Sequence, residues 1–259
     1  MSERVKLRRD GDIAIVALSN PGRLNALNRE AWQQLGDAML ALSAYDSVRC
    51  VVLRGEGSEA FAAGADISEF ERERADAVQA EAYDQIVNRA TRAIAECRHP
   101  TLAMIMGACV GGGLEIAAVC DLRICGEGSR FGVPINRLGL TIAYPELRGL
   151  LSLVGRATAL EILLEGRVMN AREALAKGLV ARVVADDQVE REAMAAARRI
   201  ADGAPLVNRI HKRMIRRVEQ EAPIDAIDVA ESYSVYGSED FRIGVAAFLA
   251  KKKPEFGGR

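Results

Sequence analysis

The sequence predicts an α/β fold that carries an all-helical C-terminal segment. Strand-like and helix-like segments alternate over about the first 185 residues, and only helical patterns follow from about residue 187. Such alternation favours helices packed on a sheet, because each element must bury its apolar face against another layer. No low-complexity linker and no repeat of fixed period interrupts the chain. We therefore predict a core over residues 1–186 and a helical segment over residues 187–259 that pack as one unit.

The first half of the chain predicts a hairpin followed by alternating helices and strands. Asp10-Gly11 is a favoured tight-turn pair, and it separates the apolar stretches 5–8 and 13–16. Asn20-Pro21-Gly22 ends the second strand. The apolar face that starts at Trp32 then predicts a helix. The elements expected here are this helix over 29–44, a strand over 48–53, a glycine- and alanine-rich loop over 55–64, a polar helix over 76–98 and a strand over 101–106.

The second half begins with three glycines that end an extended segment and open a helix. Asn170 is typical of a helix N-cap and Gly178 of the residue that follows a helix C-terminus. The remaining chain, from about residue 187 to Lys253, is predicted to be helical. The elements expected before it are strands over 122–125 and 131–133, helices over 145–153, 157–164 and 171–177, and a strand over 180–184.

Composition excludes several classes of function. The chain has 259 residues, with 35 Lys and Arg against 36 Asp and Glu, so its net charge is −1. This balance disfavours binding to nucleic acid or to an anionic membrane surface. No apolar stretch is long enough for a transmembrane helix. The segment Met1–Val5 lacks the apolar core of a secretory signal, so we expect a cytoplasmic protein.

The cysteines and histidines predict no metal site and no hydrolase triad. The five cysteines form no C-x-x-C pair, and an odd number favours buried free thiols in a reducing compartment. His99 and His211 are the only histidines, and neither lies in a recognisable catalytic setting. We therefore expect no metal and no bound cofactor, and a chemistry based on carboxylates, backbone dipoles or both.

Two glycine-rich segments are candidate ligand sites. Gly55-Glu56-Gly57 matches the start of a dinucleotide motif, but the following residues prolong the loop instead of opening a helix, so a surface turn is the preferred interpretation. The run Gly111-Gly112-Gly113 allows close approach of a ligand, and the helix that starts there directs free N–H groups at it. Those groups suit an oxyanion hole, with Glu115 as general acid or base. A tight-packing glycine cluster, with Glu115 complementing the helix dipole, explains the pattern equally well.

The sequence also resembles a known family, the crotonase superfamily of enoyl-CoA hydratases and isomerases, over essentially the whole chain and with that family's spacings. The segments that carry the resemblance are Asn20–Leu27, Phe61–Ile67, Gly107–Glu115, Cys120–Ile124, Leu153–Arg156, Gly178–Val180 and Ala247–Pro254.

This resemblance implies a spiral of ββα turns with a C-terminal helical segment that forms a homotrimer or a homohexamer. It implies an acyl-CoA thioester as substrate, with coenzyme A as part of that substrate, and a role in fatty acid metabolism. The backbone N–H groups of Ala65 and Gly112 would hold the thioester oxygen. Residues contacting CoA would be Ala63, Ala65, Asp66, Ile67, Ser68 and Gly112, with Arg23 and Lys251–Lys253 approaching its phosphates.

The sequence departs from the family at the second catalytic carboxylate. Family hydratases use two glutamates; the first matches Glu115, but Ile135 occupies the position of the second. Ala143 stands where some relatives place an acid. Glu146 is the nearest new carboxylate, although Pro145 and Glu146 also suit the first turn of a surface helix, which we favour. Tyr144 and Asn136 are further substitutes, Tyr144 either as a proton donor or in the acyl pocket.

Three hypotheses of function follow. The first is a crotonase-type enzyme in which Glu115 transfers the proton in hydration or dehydration, isomerisation or another enolate route. Because the second carboxylate is missing, we expect weak hydration and either better isomerisation or a specialised substrate. The second is an acyl-CoA-binding homologue without efficient catalysis. The third, with the least support, is a nucleotide-dependent oxidoreductase that uses the Gly55-x-Gly57 turn. We favour the first.

Overall fold

The computed structural model describes residues 3–259 and shows two sheets surrounded by helices. The larger sheet has the order β1-β2-β3-β5-β7-β10; β1 and β2 are antiparallel, and all other neighbours are parallel. The strands are β1 (Val5–Asp10), β2 (Ile13–Leu18), β3 (Cys50–Gly55), β4 (Ala60–Ala62), β5 (Thr101–Ile105), β6 (Ala108–Val110), β7 (Leu122–Gly126), β8 (Arg130–Gly132), β9 (Met169–Asn170) and β10 (Arg182–Val184). The α/β fold is confirmed.

The helices lie between the strands and, after β10, follow one another. They are α1 (Arg29–Ala44), α2 (Phe70–Glu73), α3 (Ala77–Ala95), α4 (Gly112–Val119), α5 (Tyr144–Leu160), α6 (Ala171–Ala176), α7 (Val189–Ala201), α8 (Pro205–Glu219), α9 (Ala226–Tyr233) and α10 (Glu239–Leu249). Short 3-10 turns span 67–69, 134–138, 186–188 and 234–237, and a π-helical turn spans 161–165. The final helix ends at Leu249, earlier than the predicted Lys253.

The larger sheet buries both of its faces. Alternate side chains of a strand point to opposite sides, so Ile13 and Ile15 pack in one apolar cluster and Ala14 and Val16 in another. The cluster around Ile13 is closed by the alanine-rich face of α7, and the other contains the buried faces of α1 and α3. Burial on both faces explains the continuous apolar runs 50–53 in β3 and 102–105 in β5.

The smaller sheet, β4-β6-β8-β9, holds the polypeptide that builds the site. Strand β4 lies inside the segment 55–64 that the sequence predicts as loop, so that prediction is wrong for residues 60–62. Three-residue strands are too short to show an alternating pattern, and they form here because β4 pairs with β6. Strand β6 leads directly into Gly111 and α4.

The details of several predicted elements are confirmed or corrected. Asn170 caps α6 in a reciprocal capping box with Glu173, and Gly178 has a φ of 76° just beyond that helix. The helices predicted over 145–153 and 157–164 form one element, α5, interrupted by the non-helical Gly155 at φ 71°. All five cysteines are buried free thiols, as predicted. Met1 and Ser2, part of the segment analysed for a secretory signal, lie outside the described residues.

Candidate active site

A cavity opens where the loop after β4, the start of α4 and the start of α5 meet. Its walls include the loop residues Ala63–Ala65 and Ile67, the residues Val110–Gly112, and several residues of the segment between Pro134 and Glu146. Further wall residues are Trp32, Phe70, Arg74, Asp84 and Val87. Glu115 and Glu146 both face this cavity. The structure therefore brings the two candidate catalytic carboxylates into one site.

Ala65 and Gly112 lie close together in the wall of this cavity. A Cβ placed on Gly112 would be 3.7 Å from the nitrogen of Ala65. Gly112 is the first residue of α4, so its N–H has no partner within the helix. The N–H of Leu27 donates to the carbonyl oxygen of Gly64, and the N–H of Asp66 donates to the carbonyl oxygen of Leu27. Because these bonds lie on either side of Ala65, the N–H of Ala65 points away from Leu27. The two residues that the resemblance assigns to an oxyanion hole are therefore neighbours, and each has an N–H group left free by these bonds.

Glycine is required at this point by both backbone conformation and space. Gly64 and Gly111 have φ of 101° and 52°, a region that side chains rarely adopt. A Cβ on Gly112 would approach the Trp32 ring at 2.8 Å, and one on Gly113 would meet the carbonyl oxygen of Ala62 at 2.2 Å. The glycine run therefore serves both interpretations raised by the sequence: it packs tightly, and it leaves the helix N-terminus open to the cavity.

Glu115 lies in the first turn of α4, with its side chain in the cavity wall. Burial is the main cause that raises the pKa of Glu115 to about 8, and the nearby charge of Glu146 raises it further. The residue keeps some accessible surface because it faces the cavity. A carboxyl group with this pKa is largely protonated at neutral pH and is therefore able to give up a proton there.

Glu146 is the main correction to the sequence analysis. It does lie in the first turn of α5, but it is only 4% exposed, whereas we favoured a surface helix. Neither carboxyl oxygen has a hydrogen-bond partner within residues 3–259. Burial raises the pKa of Glu146 above its usual range. A buried carboxyl group that the protein leaves unpaired is free to bind a ligand or water in the cavity.

The position of Glu146 follows from the packing of α5. Leu150 lies four residues further along, on the same face of the helix, and is buried. Helix α5 packs against α4, which carries Glu115. The i, i+4 spacing between Glu146 and Leu150 is the sequence signal that indicates an inward-facing carboxylate, and it was missed.

The other predicted substitutes do not reach the site as expected. Tyr144 is 86% exposed and does not line the cavity, so its assignment to the acyl pocket is wrong. Asn136 is exposed and donates to the carbonyl of Leu164 at 2.9 Å, which gives it a structural role. Ile135 and Ala143 do line the cavity, where neither can transfer a proton.

Arg23, Asp66 and Ser68 form a polar cluster beside the cavity loop. Arg23 Nη1 donates to Asp66 Oδ1 and to Ser68 Oγ, both at 2.8 Å. Burial opposes ionisation of Asp66, but the hydrogen bonds from Ser68 and the charge of Arg23 outweigh it and lower the pKa of Asp66. These three side chains do not line the cavity itself, whereas Ala63, Ala65 and Ile67 do. In the C-terminal lysine cluster, Lys253 pairs with Asp202 at 2.8 Å.

Arg74 and Asp84 are two further cavity residues that the sequence analysis did not identify. Arg74 follows α2, where its N–H donates to the carbonyl of Phe70. Arg74 Nη2 lies 3.2 Å from Asp84 Oδ1 on α3. No motif marks these residues, because their orientation toward the cavity depends on how α2 and α3 pack.

Alternatives to a carboxylate site find no support in the geometry. No helix begins within Gly55-x-Gly57, because the chain passes from β3 through a turn into β4. Residues 3–259 contain no group of three or more His, Cys, Asp or Glu side chains placed to hold a metal ion.

None of the helices in this described part of the chain combines the length and apolar character needed to cross a bilayer.

Comparison with known proteins decides the family. The family model for enoyl-CoA hydratase/isomerase matches residues 8–259. This chain belongs to that family. It is 32% identical to a short-chain-enoyl-CoA hydratase of Clostridium acetobutylicum, over 97% of this chain and 96% of the relative. It is 30% identical to a crotonyl-CoA hydratase of Syntrophomonas wolfei, over 98% of each.

A solved structure supports the same assignment. The chain superimposes with a TM-score of 0.98 on an "enoyl-CoA hydratase/carnithine racemase" from Magnetospirillum magneticum, with 47% identity over 100% of this chain and 97% of that one. The predicted resemblance and the crotonase-like fold are thus confirmed. The protein is an acyl-CoA-processing enzyme of the crotonase type.

Proposed function

We propose that the protein hydrates the double bond of a 2-enoyl-CoA, with Glu115 and Glu146 as the acid–base pair. The observation that carries the proposal is the buried, unpaired carboxyl group of Glu146 in the same cavity as Glu115. It supplies the second carboxylate that Ile135 cannot provide. The hydratase names of the two curated relatives support the same reaction. We therefore propose efficient hydration, where the sequence analysis expected hydration to be weak.

The reaction requires two proton transfers and one stabilised anion. The ionised carboxylate takes a proton from water as the water oxygen bonds to C3 of the enoyl group. The electron pair of the double bond moves toward the thioester, and the N–H groups of Ala65 and Gly112 stabilise the negative oxygen of the resulting enolate. The protonated carboxyl group then donates its proton to C2. Water is thus added across C2 and C3. The total charge of the pair is unchanged, and one proton exchange between the two glutamates restores their starting protonation states.

The electrostatics of the pair suit a reaction in which one carboxyl group is the acid and the other is the base. Two buried carboxylates close together resist ionising at the same time, so one proton is retained over a wide pH range. Burial is the main cause that raises the pKa of both Glu115 and Glu146, and the charge of Glu146 adds to the rise at Glu115. One group is therefore available as an acid while the other acts as a base.

The surroundings of the cavity support binding of the CoA portion at its mouth. Arg23, Asp66 and Ser68 lie next to the cavity loop, and the exposed guanidinium of Arg23 suits a phosphate group. We assign these residues, with Ala63 and Ile67, to CoA. The proposed enzyme is a homotrimer or a homohexamer, needs no separate cofactor and works in the cytoplasm.

The test is hydration of crotonyl-CoA, followed by the loss of its ultraviolet absorbance. Glu146→Gln removes the acid–base function while keeping the side-chain size, so kcat/KM should fall about 100- to 10,000-fold. Glu165→Gln, an exposed glutamate outside the cavity, is the matched control and should retain activity. Wild-type activity in Glu146→Gln would contradict the proposed pair. Tight binding without any turnover by the wild type would instead indicate the acyl-CoA-binding homologue.

A further inference from the structure

One part of the cavity wall is charged, although the rest is largely apolar. Arg74 and Asp84 form an ion pair there, and their side chains are 18% and 40% exposed. Their neighbours in the wall are Phe70 and Val87. A hydrocarbon chain makes no use of charged side chains, so a half-exposed ion pair in the wall points to a polar group in the ligand.

The guanidinium of Arg74 has hydrogen-bonding capacity that the protein does not use. Arginine carries five N–H donors, and the contact of Arg74 with Asp84 runs from Nη2 to Oδ1 at 3.2 Å. Its Nε is buried and has no acceptor within the described residues 3–259. The charge is held in place by two rings, since its central carbon lies 4.2 Å from the centre of the Tyr83 ring and 5.1 Å from that of Phe70.

Arg74 is also close to the reacting carboxyl groups. Its positive charge opposes the rise in the pKa of Glu115 and of Glu146, which places it within electrostatic reach of both. Arg74, Glu115 and Glu146 line the same cavity, so an acyl chain held between the two glutamates shares that cavity with Arg74.

We propose that Arg74 recognises an anionic group at the far end of the acyl chain, so that the preferred substrate is a CoA thioester of a short dicarboxylic acid. The inference rests on the proposed function, because it assumes that the acyl chain enters this cavity. A carboxylate on the substrate would accept hydrogen bonds from the part of the guanidinium that lines the cavity. A chain that ends in a methyl group would cover the same donors and leave them without acceptors.

A cationic acyl group fits the same wall less well. The faces of Phe70 and Tyr83 that would hold a cation are already occupied by Arg74. Asp84 is the more exposed member of the pair, so water can satisfy the acceptor sites that Arg74 leaves free, whereas the Nε of Arg74 is buried and unpaired. The hydrogen-bonding capacity that the pair leaves unused is therefore that of a donor, which selects an anion.

Binding of unreactive, saturated thioesters tests the proposal independently of turnover. Calorimetry would compare hexanoyl-CoA with the six-carbon thioester whose last carbon is a carboxylate, and would repeat the comparison with four and five carbons. For at least one length, the wild type should bind the carboxylate form about tenfold more tightly or better. Equal affinities at all three lengths, or tighter binding of the methyl-ended forms, would overturn the proposal.

Two variants should change this preference in opposite directions. Arg74→Met keeps an unbranched side chain between the rings and removes the charge, so the ratio of the two affinities should fall to one or below. Asp84→Asn keeps a side chain of similar size and frees the guanidinium, so the ratio should rise. The ratio is the readout because changes in fold or cavity shape affect both ligands. An unchanged ratio in both variants would also overturn the proposal.

The same protein preparations separate this inference from the proposed function. Preferential binding of the carboxylate-ended thioesters, together with no hydration of any matching enoyl-CoA, would leave the recognition by Arg74 intact and contradict the proposed reaction. Hydration of crotonyl-CoA without any such preference would support the proposed reaction and overturn the recognition by Arg74.

Discussion

At the scale of single residues, the structure removes the carboxyl groups of Glu115 and Glu146 from bulk water. Glu115 was predicted from the glycine run, because a helix that opens at Gly112 must expose free N–H groups and its first turn then carries the carboxylate. Glu146 was recognised as a candidate but placed on the surface, because Pro145 and Glu146 are what an exposed first turn also contains. Its inward orientation is set by Leu150 and by the packing of α5 on α4, which are tertiary features.

The raised pKa of Glu115 has a consequence for stability. The pKa of Glu115 is about 8 in the folded chain, against an ordinary value of 4.5. The folded state thus binds more protons than the unfolded state between these values, and the wild type loses stability as pH rises through this range. Glu115→Gln does not titrate, so its melting temperature relative to wild type should increase by several degrees from pH 5 to pH 9.

Thermal melts at pH 5, 7 and 9 check this expectation. Glu165→Gln, which changes an exposed carboxylate, should show a difference from wild type that is independent of pH. A difference for Glu115→Gln that is equally flat would show that the carboxyl group is not buried in the way described.

At the scale of elements, local patterns predicted the long helices well and the short strands poorly. Helix α1 has the predicted bounds, because its apolar face repeats over four turns and Asn28 caps its start. Strands β4 and β9 have only three and two residues, so their sequence holds too little pattern to reveal them. Arg74 and Asp84 were not identified for a related reason: α2 has a single turn, and the polar α3 does not show from sequence which side faces a ligand.

The start of α4 allows the proposed oxyanion hole to be tested within one element. Gly112→Pro removes one N–H donor at the first helical position, where proline is tolerated, so the helix should persist. Gly112→Ala keeps the N–H group but brings the same Cβ contact with Trp32. The proline variant should therefore be slower than the alanine variant in crotonyl-CoA hydration, by about 100- to 1,000-fold. Equal rates in the two variants would contradict a role for this N–H group.

At the scale of the whole molecule, the last two helices expose an unusual number of apolar side chains. Those on or near α9 and α10 that remain exposed are Ile224, Ile227, Val229, Tyr233, Tyr236, Phe241, Val245, Phe248 and Leu249. The sequence predicted a helical segment that needs a surface to bury against, and the single chain leaves this need unmet. Assembly through these helices would bury them.

Light scattering should give a mass three or six times the 28.0 kDa of one chain at micromolar concentration. Phe248 is 83% exposed, and Phe248→Asp would place a charge in the proposed interface and reduce this mass. Val78→Asp, at a 77% exposed site on α3, is the matched control and should leave the mass unchanged. A monomeric mass for the wild type would contradict assembly through this segment.

The central claim is that one cavity places a thioester between a backbone oxyanion hole and two glutamates. A crystal structure with a bound, unreactive acyl-CoA measures this directly. We expect the thioester oxygen about 2.7–3.1 Å from the nitrogens of both Ala65 and Gly112. We also expect the C2 and C3 atoms to lie between the carboxyl groups of Glu115 and Glu146. A thioester oxygen away from these two nitrogens, or a Glu146 carboxyl group that does not face C2 or C3, would contradict the account.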